Sequence, residues 1–205
     1  MKQVSLSELG KVAANSREAL WGSAKSAGLN NPLVVLHWTA GHHGQFWPED
    51  YHIHVDEHGE IYLSTNDLSD VLGHTWHMNR GTVGVTLCCA VDATTEDLGD
   101  EPPTDEQIET MAKVIAVLCA NLWLTIRNDI VMTHGEIGDS TEFYDEDDLY
   151  GPESDELERW DLQYLGTEES PEYVADHTDP STGGNVLRGK ALYYQALWNK
   201  QGKMP

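Results

Sequence analysis

The spacing of apolar and polar residues predicts two long helices. Residues 5–27 begin with Ser5, a plausible N-cap with Glu8 three positions later, and apolar residues then recur at helical intervals up to a closing glycine. Residues 104–124 repeat this signature with Thr104 and Gln107, and their apolar positions fall on one face. A third helix is predicted near the C-terminus, over about residues 186–201.

Four β-rich segments lie between and after the first two helices. They read PLVVLHW (residues 32–38), DYHIHVDEHGEIYLST (50–65), GTVGVTLCCAVD (81–92) and DIVMTH (129–134), and the second has a turn typical of a hairpin. The order helix, strands, helix, strand favours an α/β fold in which helices flank a central mixed β-sheet. A chain of 205 residues is long enough for one such domain and short for two, so we expect a single domain over residues 1–205.

Residues 138–158 depart from this pattern, because they are dense in acidic residues and poor in aliphatic ones. We interpret them as a loop excursion with a solvated acidic surface. Calcium binding by residues 145–148 stays open, although their spacing lacks the regular alternation and central glycine of a helix-loop-helix calcium site.

Composition narrows the range of partners. The chain has 35 acidic and 12 basic residues and a formal net charge of −23, so nucleic acid is not an expected partner. No stretch approaches the roughly 20 apolar residues of a membrane helix, and the first residues lack the apolar core of a signal peptide. We therefore expect a protein that is made in the cytoplasm and does not insert into membranes. Its oligomeric state is left open.

Histidines at the ends of predicted strands are the main candidates for chemistry. His37 follows LVVL near the end of the first of the four β-rich segments, His134 ends the last, and His74 lies between them in GHTWHMN. Zinc prefers imidazole together with carboxylate or thiolate, and a catalytic zinc keeps three protein ligands and one open position. Because the three cysteines lie in apolar segments, an acidic residue late in the chain is the natural third ligand.

The chain resembles the zinc-dependent N-acetylmuramoyl-L-alanine amidases of the peptidoglycan recognition type in five successive segments. These are LVVLHWTAG, YHIHVDEHGEIY, LGHTWHMNRGTVGVTL, PTDEQIETMAKVIAVLC and DIVMTHGE, and the similarity resumes at RWDL. The family includes phage lysozymes and enzymes of cell-wall recycling. The resemblance implies an amidase fold over about residues 30–137, with Zn²⁺ as the cofactor.

The same resemblance implies which residues bind the metal. His37 and His134 match the first two zinc ligands of the family. The third, a cysteine or aspartate after a variable loop, is best matched by Asp161 in ERWDLQYL. Asp148 and Asp155 lie in the same acidic segment and remain alternatives.

Catalytic roles are also implied by the resemblance. Tyr51 matches a tyrosine near the family's metal, where its hydroxyl helps to orient or deprotonate the attacking water. Arg159 stands where relatives often carry a lysine that stabilises the oxyanion, and arginine keeps the positive charge. Some relatives have a catalytic glutamate on the strand that GVTLCC matches, and this chain has none there. Glu136 is a candidate to replace that base or to support the ligands.

Four further residues are predicted to line the substrate groove or to hold the metal ligands in place: His52, His74, Trp76 and Asn79. The implied reaction is hydrolysis of the amide bond between N-acetylmuramic acid and L-alanine in peptidoglycan or a muropeptide. We expect an endolysin of the phage type. A cytoplasmic muropeptide-recycling amidase and a non-catalytic peptidoglycan-binding module remain alternatives.

Overall fold

A computed structural model describes residues 1–138 and 160–205. Its centre is a six-stranded mixed sheet with the spatial order β1-β4-β3-β5-β2-β6. The strands are β1 (Lys2–Val4), β2 (Leu33–Trp38), β3 (Ile53–Val55), β4 (Ile61–Leu63), β5 (Thr82–Leu87) and β6 (Val131–Thr133). Strands β3, β5, β2 and β6 run parallel to one another, and β4 pairs antiparallel with both β3 and β1.

Three long helices pack with this sheet. They are α1 (Leu6–Ser26), α2 (Asp105–Leu122) and α4 (Gly183–Gln201), and a short α3 (His134–Gly138) follows β6 directly. Helix α2 contacts both α1 and α4, and it also contacts strands β3 and β5. The predicted α/β class with a mixed sheet and flanking helices is therefore confirmed.

The local sequence signals explain where the first two long helices begin. Ser5 and Glu8 form a reciprocal capping box at the start of α1, and Thr104 and Gln107 form another at the start of α2. Each box satisfies backbone N–H groups that have no partner within the helix. Helix α4 begins at Gly183, three residues before the predicted start, and no side chain caps it.

Strand β2 lies inside the sheet, with β5 on one side and β6 on the other. All six of its residues are buried, as expected for a parallel strand that is covered on both faces. Its carboxyl end therefore delivers side chains to an edge where two neighbouring strands also end.

Two elements were not predicted from the sequence. Strand β1 has three residues and pairs only with β4 at the edge of the sheet, and α3 has five residues. Neither lies in an apolar run of its own, since Val4 is the single apolar residue of β1 and α3 continues directly from β6. Among residues 1–138 and 160–205, no helix is long and apolar enough to cross a membrane.

Candidate metal centre

The register of two parallel strands brings His37 and His134 together. Leu36 of β2 pairs with Thr133 of β6, and the next residue along the chain is a histidine in both cases, His37 within β2 and His134 at the start of α3. Neighbouring strands lie about 4.8 Å apart. The two imidazole rings accordingly have centroids 5.0 Å apart and meet edge to face.

Asp161 reaches the same place from a distant part of the chain. Trp160 packs edge to face against Trp38, the residue after His37, with ring centroids 5.1 Å apart. This contact seats the following carboxylate, and Oδ2 of Asp161 lies 3.2 Å from Nδ1 of His37 and 3.5 Å from Nδ1 of His134. The His37 and Asp161 side chains are buried, whereas the His134 side chain is 25% exposed.

The donor set and its spacing fit a zinc ion. Two imidazoles and a carboxylate lie with their ligand atoms within 4.8 Å of one another, and they form the only such group found among the described residues. Donor atoms held about 2.0–2.2 Å from one tetrahedral zinc lie about 3.3–3.6 Å from each other. The two distances from the Asp161 carboxylate are close to that range. The partial exposure of His134 leaves a side from which a fourth ligand can approach.

The environment sets the protonation states that a metal ion needs. Burial lowers the pKa of His37 to about 4, although Asp161 opposes the shift. Burial alone would raise the pKa of Asp161, but His134 and His37 outweigh it and lower that pKa to about 2. Near pH 7 the site therefore offers a neutral His37 and an ionised Asp161, the forms that coordinate metals.

Tyr51 stands against this group, with its ring centroid 5.0 Å from that of His37. Burial, followed by the charge of Asp161, raises the pKa of Tyr51 well above its ordinary value. The hydroxyl therefore keeps its proton at neutral pH. Of the two actions implied for Tyr51, orienting a water or carbonyl by donating a hydrogen bond is compatible with this environment, and removing a proton is not.

His52 and His74 are both almost fully buried, so neither lies on an open groove surface. His52 has backbone partners at both ring nitrogens, since Nδ1 accepts from the Gly84 N–H at 3.0 Å and Nε2 lies 2.9 Å from the Asp70 carbonyl oxygen. His74 contacts a candidate metal ligand instead, with its Nδ1 3.2 Å from Nε2 of His37. Burial also lowers the pKa of each ring, so both are neutral near pH 7.

Trp76 and Asn79 belong to the loop that precedes β5. Trp76 is 58% exposed, and its ring meets His77 at 5.0 Å. The side-chain oxygen of Asn79 accepts a hydrogen bond from the Thr75 backbone N–H at 2.7 Å and so ties the two ends of the loop together. The groove assignment of Trp76 stays a prediction, and Asn79 shapes the loop.

Glu136 lies two residues after His134, and its carboxylate is buried in an ion pair with Arg188 of α4. It also accepts a hydrogen bond from the Thr133 backbone N–H at 2.8 Å. Such a fully bonded carboxylate is suited to support the turn that carries His134. Sequence reasoning missed Arg188, because nothing local separates a buried arginine on a helix from an exposed one.

Several predicted residues lie outside the described part of the chain. Arg159, the alternative ligands Asp148 and Asp155, and the acidic residues 145–148 considered for calcium all fall between residues 138 and 160. The roles proposed for them stay predictions.

Comparison with known families agrees with this site. A family model described as N-acetylmuramoyl-L-alanine amidase matches residues 28–147, which is more than half of the chain. The match includes His37 and His134 and ends before Asp161. Searches of curated proteins and of solved structures each find no match.

Proposed function

Because the chain belongs to the N-acetylmuramoyl-L-alanine amidase family, we propose that it is a zinc-dependent hydrolase. Its substrate would be the amide bond that joins N-acetylmuramic acid to the L-alanine of the stem peptide. The observation that carries this proposal is the convergence of His37, His134 and Asp161, two imidazoles and a carboxylate from three separate parts of the chain. A zinc ion held there would supply Lewis-acid polarisation of a carbonyl and would lower the pKa of a coordinated water to about 7.

The residues around the candidate metal centre would have separate roles in catalysis. Tyr51 keeps its proton and would donate a hydrogen bond to the water or to the scissile carbonyl. Arg159 would face the negative charge that develops on the carbonyl oxygen, where a fixed positive group stabilises the transition state. Glu136 would act through the backbone that carries His134, because its own oxygens already have partners.

Digestion of purified peptidoglycan tests the reaction directly. We expect the zinc-loaded protein to release stem peptides that begin with a free L-alanine amino group, and to leave the glycan strands uncut. Release of reducing sugars instead would contradict the proposal. Binding to peptidoglycan without cleavage would favour the non-catalytic binding module.

Metal analysis tests the ligands. The native protein should hold about one zinc per chain, and His37→Ala and Asp161→Ala should lose both zinc and amidase activity, since a catalytic zinc site needs three protein ligands. His58→Ala is the matched control, because the His58 side chain is 76% exposed and forms no part of the cluster. If Asp161→Ala keeps its zinc while Asp155→Ala or Asp148→Ala loses it, the third ligand is wrongly assigned.

We further propose that the protein acts as an endolysin on intact cell wall. The competing role, recycling of soluble muropeptides, differs in the size of the substrate. Initial rates on insoluble peptidoglycan and on a soluble muropeptide of the same peptide composition distinguish the two roles. A strong preference for the soluble fragment would overturn the endolysin assignment and leave the amidase assignment intact.

A further inference from the structure

His37 has two ring nitrogens, and only one of them can face a metal ion. Its Nδ1 points to Asp161 Oδ2, and its Nε2 lies 3.2 Å from Nδ1 of His74. We propose that His74 is a positioning residue that keeps the proton of His37 on Nε2 and so leaves the Nδ1 lone pair for zinc. The inference rests on the proposed function, because it concerns the same metal centre.

The proton on His74 can be assigned from its other neighbours. Nε2 of His74 lies 3.0 Å from Oγ1 of Thr82. The same hydroxyl lies 2.7 Å from the Met78 carbonyl oxygen, which can only accept, so the single hydroxyl proton goes there. Thr82 therefore accepts from His74, and the His74 proton is on Nε2.

That assignment determines the direction of the next hydrogen bond. An imidazole whose single proton is on Nε2 has its lone pair on Nδ1, so Nδ1 of the buried His74 ring can only accept. The Thr75 hydroxyl at 2.9 Å and Nε2 of His37 at 3.2 Å are the two groups that face this lone pair. Donation from Nε2 of His37 is favourable at this position, because a second lone pair opposed to that of His74 would be repelled.

The consequence reaches the metal centre. With its proton on Nε2, His37 presents an unprotonated Nδ1 to the Asp161 carboxylate, and both of these groups are acceptors. An acceptor pair 3.2 Å apart is favourable when a cation lies between them. A series of hydrogen bonds thus prepares the site for a positive ion before that ion binds. It runs from His37 through His74 and Thr82 to the Met78 carbonyl oxygen.

The sheet also leaves space for this arrangement. A Cβ atom on Gly84 of β5 would lie 2.7 Å from Cγ of the His74 ring, which is closer than two non-bonded carbon atoms approach each other. Gly84 is therefore a place where the absence of a side chain lets the His74 ring enter the interior. The ring position is specified by the strand as well as by its hydrogen bonds.

Nuclear magnetic resonance of the metal-free protein tests the inference without activity. Long-range correlations between ring protons and ¹⁵N distinguish protonated from unprotonated ring nitrogens. We expect His37 and His74 to carry their protons on Nε2 in the native protein. In Thr82→Val, where the acceptor for His74 is lost, part of the His37 population should move its proton to Nδ1. A native His37 protonated on Nδ1 would overturn the inference.

Zinc affinity gives the second readout. His74→Phe should weaken zinc binding about 10- to 100-fold, the usual effect of removing a group that holds a metal ligand. His74→Asn should recover part of the loss, because its side-chain oxygen can take the acceptor position of Nδ1. His58→Phe, at an exposed histidine, is the matched control. Should His74→Phe fail to fold, Thr82→Val still tests the inference, since valine has nearly the same shape as threonine.

The outcomes separate this inference from the proposed function. Unchanged zinc affinity in both His74→Phe and Thr82→Val would exclude the positioning role, whatever the protein cleaves. Conversely, a zinc-loaded native protein that does not cleave peptidoglycan would contradict the proposed function. The ¹⁵N assignment and the effect of Thr82→Val on zinc affinity would still decide the role of His74.

Discussion

The guanidinium of Arg188 donates two hydrogen bonds to the carboxylate of Glu136, from Nη1 to Oε2 at 2.7 Å and from Nη2 to Oε1 at 2.6 Å. Both side chains are buried, and Nη1 also donates to the Val131 carbonyl oxygen at 2.8 Å. The pair joins α4 to the end of β6 and the start of α3. That junction carries His134, so the ion pair holds this candidate metal ligand in register with the sheet.

Replacing only one partner of this ion pair should strongly destabilise the fold. Arg188→Met leaves Glu136 buried without a counter-charge, and we expect a loss of about 3–5 kcal/mol in the free energy of unfolding. The double variant Glu136→Gln with Arg188→Met should recover part of that loss, because no uncompensated charge remains. Chemical denaturation of the native protein, of Arg188→Met, of Glu136→Gln and of the double variant measures the coupling. Additive losses would mean that the two residues do not act as a pair.

The glycine at the start of α4 allows close contact with the segment that carries Asp161. A Cβ on Gly183 would overlap the carbonyl oxygen of Leu162, the residue after Asp161. Gly183→Ala should therefore shift that segment, destabilise the fold by about 1–3 kcal/mol and weaken zinc binding. Isothermal titration with zinc and thermal unfolding measure the two effects.

The same helix offers a matched control. Gly189 is exposed, and an added Cβ there would meet no atom within 4 Å. Gly189→Ala should leave zinc affinity unchanged and stabilise the helix by up to about 1 kcal/mol. Equal zinc affinity in the two alanine variants would show that the contact at Gly183 does not position Asp161.

Buried neutral histidines should make the fold sensitive to acid, and His54 allows this to be measured away from the metal centre. It is fully buried on β3, its Nε2 accepts from the Trp47 N–H at 3.1 Å, and burial lowers its pKa to about 4. In the unfolded chain the pKa is about 6.5, so the unfolded state binds the proton first as pH falls. The His54 contribution to stability is complete above about pH 6.5 and decreases by about 3 kcal/mol as pH falls through about 4.

The free energy of unfolding of the chelator-treated protein is measured between pH 7.5 and 4, a range that spans both pKa values. Its slope against pH reports the proton uptake of His54 on unfolding. His54→Gln cannot take up the proton, so the slope should fall by at most about 1.4 kcal/mol per pH unit. His58→Gln, at an exposed position, should leave it unchanged. An identical slope in His54→Gln would contradict the assignment.

The features that could be predicted from the sequence were local or followed from the register of parallel strands. Two capping boxes gave the starts of α1 and α2 to the residue, because a cap is a contact between positions three apart. His37 and His134 were predictable as neighbours, since each lies within one residue of the carboxyl end of a strand and parallel strands end at one edge. These features need no knowledge of tertiary packing.

The contacts between distant segments could not be predicted in the same way. The pairing of His37 with His74 depends on a loop that folds back over β5 and on the space beside Gly84. Arg188 lies among lysines in a C-terminal segment whose sequence does not separate it from them, yet it is buried against Glu136. In both cases the partner lies more than 30 residues away, and no spacing rule connects the two positions.

Tyr51 should contribute to turnover without binding the metal. If its hydroxyl donates a hydrogen bond in the transition state, Tyr51→Phe should lower kcat about 10²- to 10³-fold with zinc content unchanged. Since burial and Asp161 raise its pKa, the native rate should show no decline that reflects ionisation of this tyrosine up to about pH 9. Tyr62→Phe is the control, because Tyr62 bonds to Glu60 on an exposed surface. Loss of zinc in Tyr51→Phe would point to a structural role instead.

Charge should affect the reaction on intact wall, because a chain with a net charge of −23 must approach peptides that carry carboxylates. Repulsion extends about 30 Å at 0.01 M salt and about 8 Å at 0.15 M. We therefore expect kcat/KM on intact peptidoglycan to rise with moderate salt, whereas the rate on a small neutral muropeptide analogue changes little. Initial rates on both substrates across this range measure the effect.

A basic docking surface near the C-terminus would reverse that dependence, and the structure weakens this alternative. Arg188 is buried in its ion pair with Glu136, and Nζ of Lys190 lies 2.7 Å from a carboxylate oxygen of Glu109. Lys200 and Lys203 are exposed and remain as the cationic part of that region. The double variant Lys200→Ala with Lys203→Ala should consequently retain the rise with salt. If the native rate on intact wall instead falls with salt, and the double variant removes that fall, attraction at these two lysines outweighs the repulsion of the whole chain.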